Sequence, residues 1–341
     1  MTTIPICTWN IMGNSNVKAK DRKKVTTATF QHRHYGGRLD QSDLICIQEM
    51  TCNPSKRTAK QYLPLAENYG VAKSKEPSGY YNAVYFNNEM FDEIAAECLD
   101  PAYEQMELKR QCYEYIERGG DDRITEAESG NLAIPKRSNL DSDAFKEVLR
   151  QCKKVGFRES IAKYYAPKEM ETKPPRGLLK RRMAICVLKI KSRALPRHYL
   201  VVISLHNYSK ASGRKAPVNY ACLLFDFLHQ LHHTDLKNYI VIIAGDFNFD
   251  ISDCEDLTQY LSSYYIPDYD LRPLRKTMID FIVVTKCVMN PSKLDTLSLI
   301  DVENVKAHDL KVPEEVKERD VRPKDITNHS PVSAEIVIPE Q

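Results

Sequence analysis

The chain has 341 residues, 42% of them hydrophobic, and a net charge of +3, so it can bury a sizeable core and offers no global electrostatic case for nucleic acid. No apolar run approaches the roughly 20 residues that cross a bilayer, and the opening MTTIPICTWNIMG lacks the basic-then-apolar pattern of a signal peptide. An intracellular protein, cytoplasmic or nuclear, is expected. The ten cysteines are scattered without a CxxC pair, and Cys7, Cys46, Cys186 and Cys222 fall within apolar runs, which favours reduced core thiols over a disulfide or zinc framework.

Ile6 to Ile11 (ICTWNI) reads as a first strand ending near Asn10. The stretch Lys18 to Arg38 is basic, and a helix is expected after it. Leu44 to Gln48 (LICIQ) is a second buried strand that stops at Glu49, and Asn82 to Phe86 (NAVYF) a third. From Phe91 to about Gly177 the pattern turns polar and mostly helical, with Ser142 as N-cap of an Ala144 to Val155 segment; acidic Asp92 to Glu128 is a poor face for a polyanion. A second basic cluster, Lys173, Arg176, Lys180, Arg181 and Arg182, follows. Each basic cluster fits either solvated loop or phosphate contact.

Met183 to Ile190 (MAICVLKI) and Tyr199 to Asn207 (YLVVISLHN) restore the strand pattern, the latter presenting His206. Apolar residues at helical spacing predict an amphipathic helix over Asn219 to His233; its His229, His232 and His233 fit a partly exposed face better than a metal site. In Tyr239 to Asp250 (YIVIIAGDFNFD), β-branched residues bounded by Gly245 predict a strand buried on both faces. On an extended backbone Asp246 and Asn248 leave one face while Phe247 points the other way; an ordinary Asp/Asn turn is the competing reading. Met278 to Val284 carries Asp280 within an apolar strand, and Asn328 and His329 precede the last strand in Thr327 to Ile338. Strands with helical segments between some of them suggest two packed sheets flanked by helices, an α/β architecture.

Asn10, Glu49, His206, Asp246, Asn248, Asp280, Asn328 and His329 thus recur at strand ends. Each alone has a structural explanation, as a cap, a core imidazole or an ion-pair partner. Together they suit a cation, because buried carboxylates need pairing or a metal, and oxygen-rich ligands favour Mg²⁺ over zinc.

In chain order, Trp9-Asn10, Gln48-Glu49, Gly245 to Asn248 (GDFN), Ile279-Asp280 and Asn328 to Val332 (NHSPV) resemble the signature blocks of the endonuclease/exonuclease/phosphatase superfamily. TWNIMGNS and SLHN are more similar to its deoxyribonuclease-I and cytolethal-distending-toxin branch than to the inositol phosphatases. The resemblance implies a deoxyribonuclease-I-like, four-layer α/β/β/α sandwich, one domain over 1–341, with a family-variable, mostly helical insertion around 91–177. It implies Glu49 as principal Mg²⁺ (or Mn²⁺) ligand, with Asn10 and the Asn328 position also at the metal. Asp246 and Asn248 would orient water and phosphoryl oxygens, His329 paired with Asp280 would stabilise charge or move a proton, and His206 would match a second histidine. Arg176, Arg181 and Arg182 are candidate phosphate contacts. The family pattern has Asp where this chain has Asn328, a neutral and weaker ligand for a second metal. The activity implied is Mg²⁺-dependent phosphodiester hydrolysis, with DNA or RNA as substrate. A phosphatase or phosphodiesterase of an inositol phosphate, phospholipid or other small phosphoester is the alternative, and a non-catalytic binding module of the same fold is a third reading.

Overall fold

The computed structural model describes residues 1–11, 19–34, 37–54, 63, 65, 67–75, 79–94, 183–191, 199–207, 239–248, 264–265, 279–285, 287–289, 297–317, 327 and 329–339. Strand β1 (Thr2–Asn10) is followed by helix α1 (Ala19–Gln31), the small hairpin β2 (Arg33–His34) and β3 (Gly37–Arg38), and a 3-10 turn at Leu39–Gln41. Then come β4 (Leu44–Met50), β5 (Tyr69–Lys75), β6 (Tyr81–Asn87) and β7 (Phe91–Ile94). The second half contains β8 (Met183–Ile190), β9 (Tyr199–His206), β10 (Tyr239–Asp246), β11 (Tyr264–Tyr265) and β12 (Asp280–Thr285). A hairpin of β13 (Cys287–Met289) and β14 (Leu297–Leu299) leads to β15 (Asp301–Ala307), helix α2 (Glu314–Lys317) and β16 (Val332–Ile338).

The strands form two six-stranded mixed sheets, β15-β16-β1-β4-β6-β5 and β11-β12-β10-β9-β8-β7. Period-two alternation sorts their side chains. Ile4, Ile6, Leu44, Cys46, Val84 and Phe86 of the first sheet meet Ala184, Cys186, Leu200, Val202, Ile240, Ile242, Ile282 and Val284 of the second in one core. Residues between them in sequence, Cys7, Trp9, Ile45, Ile47 and Tyr85, face outward onto Val25 and Phe30 of α1 and Val316 of α2. Each buried aliphatic side chain contributes about 1.5–3 kcal/mol. This is the α/β sandwich expected from the sequence.

Three expectations needed correction. The basic Lys18 to Arg38 stretch contains the helix instead of preceding it, because α1 buries Thr26 and Thr29 beside Val25 and Phe30 and so shows only a faint apolar stripe. Phe91–Ile94, assigned to the polar insertion, pairs with β8 as an edge strand and buries Phe91. Strands β5 and β15 sit at or beside sheet edges and were not anticipated. The proposed helices at Ala144 to Val155 and Asn219 to His233 lie outside the described residues.

The two sheets repeat one pairing pattern. In the first, β1 runs parallel to β4 and antiparallel to β16, while β6 pairs antiparallel with both β4 and β5. In the second, β10 runs parallel to β9 and antiparallel to β12, while β8 pairs antiparallel with both β9 and β7. Thus β1 corresponds to β10, β4 to β9, and β16 to β12. Cys7, Cys46 and Cys186 are free and buried, as expected for reduced core thiols, and burial pushes the Cys7 thiol up to about 12. No helix among the described residues is long and apolar enough to cross a membrane.

Candidate active site

Reading along the inward-facing positions, four neighbouring strands change character in the same direction. Strand β1 presents Ile4, Ile6, Thr8 and Asn10; β4 presents Leu44, Cys46 and Gln48; β9 presents Leu200, Val202, Ser204 and His206; β10 presents Ile240, Ile242, Ala244 and Asp246. The apolar layers fix the strands. The last layer carries the ionisable and amide side chains.

Equivalent positions of the two sheets meet across the seam between them. Asn10, ending β1, donates Nδ2 to Asp246 Oδ2, ending β10, at 3.0 Å. Glu49, near the end of β4, lies 3.6 Å from His206 Nε2 at the end of β9. His329, just before β16, lies 2.7 Å through Nδ1 from Asp280 Oδ2 at the start of β12. A carboxylate only accepts, so Asp280 keeps the proton on Nδ1 and leaves Nε2 to face Asp246 Oδ2 at 3.7 Å. Asp246 is also the register partner of His206, which places all three pairs at one end of the sandwich.

Glu49 gets there through a backbone irregularity. Since Gln48 faces inward, alternation would turn Glu49 outward, but the β4–β6 register shifts between Ile47 and Met50. Glu49 adopts a left-handed φ of 56°, and its N–H donates to Asn82 Oδ1 at 3.3 Å. A bulge of this kind re-aims a side chain, and a non-glycine residue in this region carries strain.

Of the two readings of Asp246 to Asn248, extended backbone or an Asp/Asn turn, the turn is the one observed. Asn248 has a φ of 55°, and its N–H donates to Asp246 Oδ1 at 2.8 Å, an Asx turn. Its Nδ2 reaches the Asn207 carbonyl at 2.9 Å, and Asn207 Nδ2 reaches the Phe247 carbonyl at 2.8 Å. Phe247 is buried and stacks on Phe281 with centroids 3.8 Å apart. Asp246 is therefore held through both oxygens, by Asn10 and by the turn. Gly245 permits the close strand approach below it, because a Cβ there would lie 1.9 Å from the Leu205 carbonyl oxygen.

The loop bearing His329 is tied to β1. Trp9 Nε1 donates to the His329 carbonyl at 3.0 Å, Thr327 Oγ1 donates to the Asn10 carbonyl at 3.1 Å, and the His329 N–H donates to Thr327 Oγ1 at 3.1 Å. Sequence reasoning assigned no role to Thr327, Asn207, Asn82 or the polar layer of Thr8, Gln48 and Ser204. The available signal was a polar residue inside an apolar strand, two positions before Asn10 and His206.

One ligand atom each from Asp246, Asp280 and His329 lies within 4.8 Å of the others, a group able to hold a metal ion. The donor set is two carboxylates and one imidazole, with the Glu49 carboxylate nearby on His206. Carboxylate oxygens suit a hard divalent cation, so the residues present fit one. Asn328, Arg176, Arg181 and Arg182 lie outside the described residues.

The sequence profile of the Endonuclease/Exonuclease/phosphatase family matches residues 7–292. TDP2 of D. rerio, solved with a single-strand DNA product, superposes with a TM-score of 0.54 at 10% identity, over 99% of this chain and 100% of that one. The human Nocturnin catalytic domain, solved with a bound sulfate anion, superposes with a TM-score of 0.51 at 13% identity, over 99% and 94%. An endonuclease/exonuclease/phosphatase family protein from Bacteroides thetaiotaomicron gives 0.51 at 14% identity, over 99% and 96%. These likenesses concern the fold. No curated protein matches the sequence.

Proposed function

The chain belongs to the endonuclease/exonuclease/phosphatase family, and on that premise we propose that it is a Mg²⁺-dependent phosphodiester hydrolase, a nuclease cleaving DNA or RNA. The observation that carries this reading is the convergence of three seam pairs, Asn10–Asp246, Glu49–His206 and Asp280–His329, at one end of the sandwich.

Hydrolysis adds water to an anion and expels an alkoxide, so the site must place a proton acceptor, stabilise negative charge and return a proton. Asp246, immobilised by Asn10 and the Asn248 turn, orients the attacking water. His329, aimed by Asp280, faces the phosphoryl group through Nε2. His206 and Asn248 contact the phosphoryl oxygens. Glu49 and Asn10, with the Asn328 position, would hold Mg²⁺ or Mn²⁺ beside the Asp246, Asp280 and His329 donors, and the ion would offset the charge that develops on phosphorus-bound oxygens. Arg176, Arg181 and Arg182 are the proposed contacts to flanking phosphates.

The reading is tested by incubating supercoiled plasmid, single-stranded DNA and RNA with the protein in Mg²⁺ or Mn²⁺. Cleavage that stops with chelator and with Asp246→Ala is expected; intact nucleic acid at high protein concentration removes the nuclease assignment. A small phosphoester is the second reading, favoured by how the basic Lys18 to Arg38 stretch is used. Arg22 is buried, Lys24 pairs with Glu315 at 2.6 Å, and Arg38 pairs with Asp40, which leaves Lys20, Lys23 and Arg33 as the other exposed cations among the described residues of that stretch. Phosphate release from inositol phosphates or phospholipids, without nucleic acid cleavage, selects this reading.

A further inference from the structure

Directly beneath the seam pairs lies a buried polar layer that the reaction does not touch. Gln48 is fully buried, as are Thr8 and Ser204. Its Nε2 donates to Ser204 Oγ at 2.9 Å and Thr8 Oγ1 at 3.1 Å, and reaches the Ala244 carbonyl at 3.5 Å. Thr8 Oγ1 donates back to Gln48 Oε1 at 3.4 Å, and Ser204 Oγ donates to the Ile47 carbonyl at 3.1 Å. Ser204 Oγ spends its one proton on the Ile47 carbonyl and so can only accept from the amide, which fixes the amide orientation.

These partners are not scattered. Thr8 precedes Asn10 by two residues, Ser204 precedes His206 by two, and Ala244 precedes Asp246 by two, while Gln48 adjoins Glu49. One carboxamide therefore reaches every strand that delivers a seam residue from β1, β4, β9 and β10, two from each sheet. A side chain needed only to fill this space would be apolar, as all the layers below are; an amide in a dry core is specific only when its bonds are satisfied.

We propose that Gln48 is a positioning residue: it locks the two sheets in register beneath the site, so that Glu49 and Asn10 stand at fixed separation from His206 and Asp246. The inference rests on the hydrolase reading for its consequence in turnover, and on the contacts alone for its consequence in geometry. A shift between the sheets would spread all three seam pairs at once, without loss of the core below.

The test replaces the amide by a side chain of similar shape with no donors, Gln48→Met, and reads the site without substrate. Mn²⁺ affinity by titration calorimetry is expected to fall about 10-fold, the lower end for a residue supporting metal ligands, and the His206 and His329 imidazole resonances of the metal-free protein are expected to move. Ile242→Ala, in the apolar layer, is the control: it loses stability and keeps both readouts. If Gln48→Met behaves like that control, the proposal is overturned. Should Gln48→Met not accumulate folded, Ser204→Ala and Thr8→Val each remove one hydroxyl partner of the amide and are expected to shift the same resonances; unchanged spectra in both overturn it equally. A protein that shows these shifts yet hydrolyses no phosphoester retires the hydrolase reading and leaves the positioning role standing.

Discussion

Two ends of one inner face differ sharply. At the far end Ile4, Leu44, Leu200 and Ile240 pack as aliphatic side chains only. A few residues on, the same four strands present Asn10, Gln48, His206 and Asp246, nearly as buried. Burial therefore does not distinguish them; partners do. The aliphatic end gains from area removed from water, whereas each hydrogen bond at the polar end contributes only about 1 kcal/mol net, and a lost partner costs about 1–3 kcal/mol. The lesson is that stability is concentrated at one end of these strands and chemistry at the other, so substitutions should separate the two.

The largest effect is expected at the polar end. His329→Ala and Asp246→Ala should each lower turnover by about 10²–10⁴-fold while the protein stays folded, losing about 1–3 kcal/mol for the partners left behind; a wild-type rate at either position removes its assigned role. At the aliphatic end Ile242→Ala should reverse the pattern, losing about 2–5 kcal/mol in denaturant unfolding with the rate per folded molecule unchanged. Gly245→Ala sits at the border. Its Cβ would strike the Leu205 carbonyl, pushing β9 from β10 beside both His206 and Asp246. Stability should fall by about 1–3 kcal/mol and turnover with it, so a variant that loses only one of them breaks the comparison.

The smallest effect concerns Asp43, a half-buried carboxyl at the aliphatic end, just before β4. Burial raises its pKa, Glu89 adds to this, and the Asn87 amide at 2.9 Å opposes it. A carboxyl whose folded pKa lies above its unfolded one favours folding when protonated, and that contribution is lost as pH rises through the folded value. Asp43→Asn keeps the acceptor for Asn87 and removes the charge. Its urea midpoint should gain on wild type between pH 4 and pH 7 and show no gain at the acid end.

Much of this contrast was legible in the sequence. The apolar runs of β8, β9 and β10 were read to within a residue or two, because strands buried on both faces need no alternation. Strand β5, with Lys73 and Lys75 in YGVAKSK, and β15, DVENVKA, were missed since an edge position tolerates charge and weakens the pattern. The residues of the site were legible as polar ends of apolar strands. Their geometry was legible only in part: the Asp/Asn turn at Asn248 was one of two readings its residues allow, whereas the bulge that turns Glu49 inward depends on Asn82 from another strand. Gln48 shows in the sequence only as the end of an apolar strand beside Glu49, because a cross-sheet contact leaves no periodic trace.

In the pairing of β1 with β16, Thr2 stands opposite Ile338. Both strands begin or finish there, at the pole opposite Asn10. A tether attached beside Thr2 or Ile338 would thus sit at the end of these strands remote from Asn10, and would pull on the aliphatic layers without crossing the polar one.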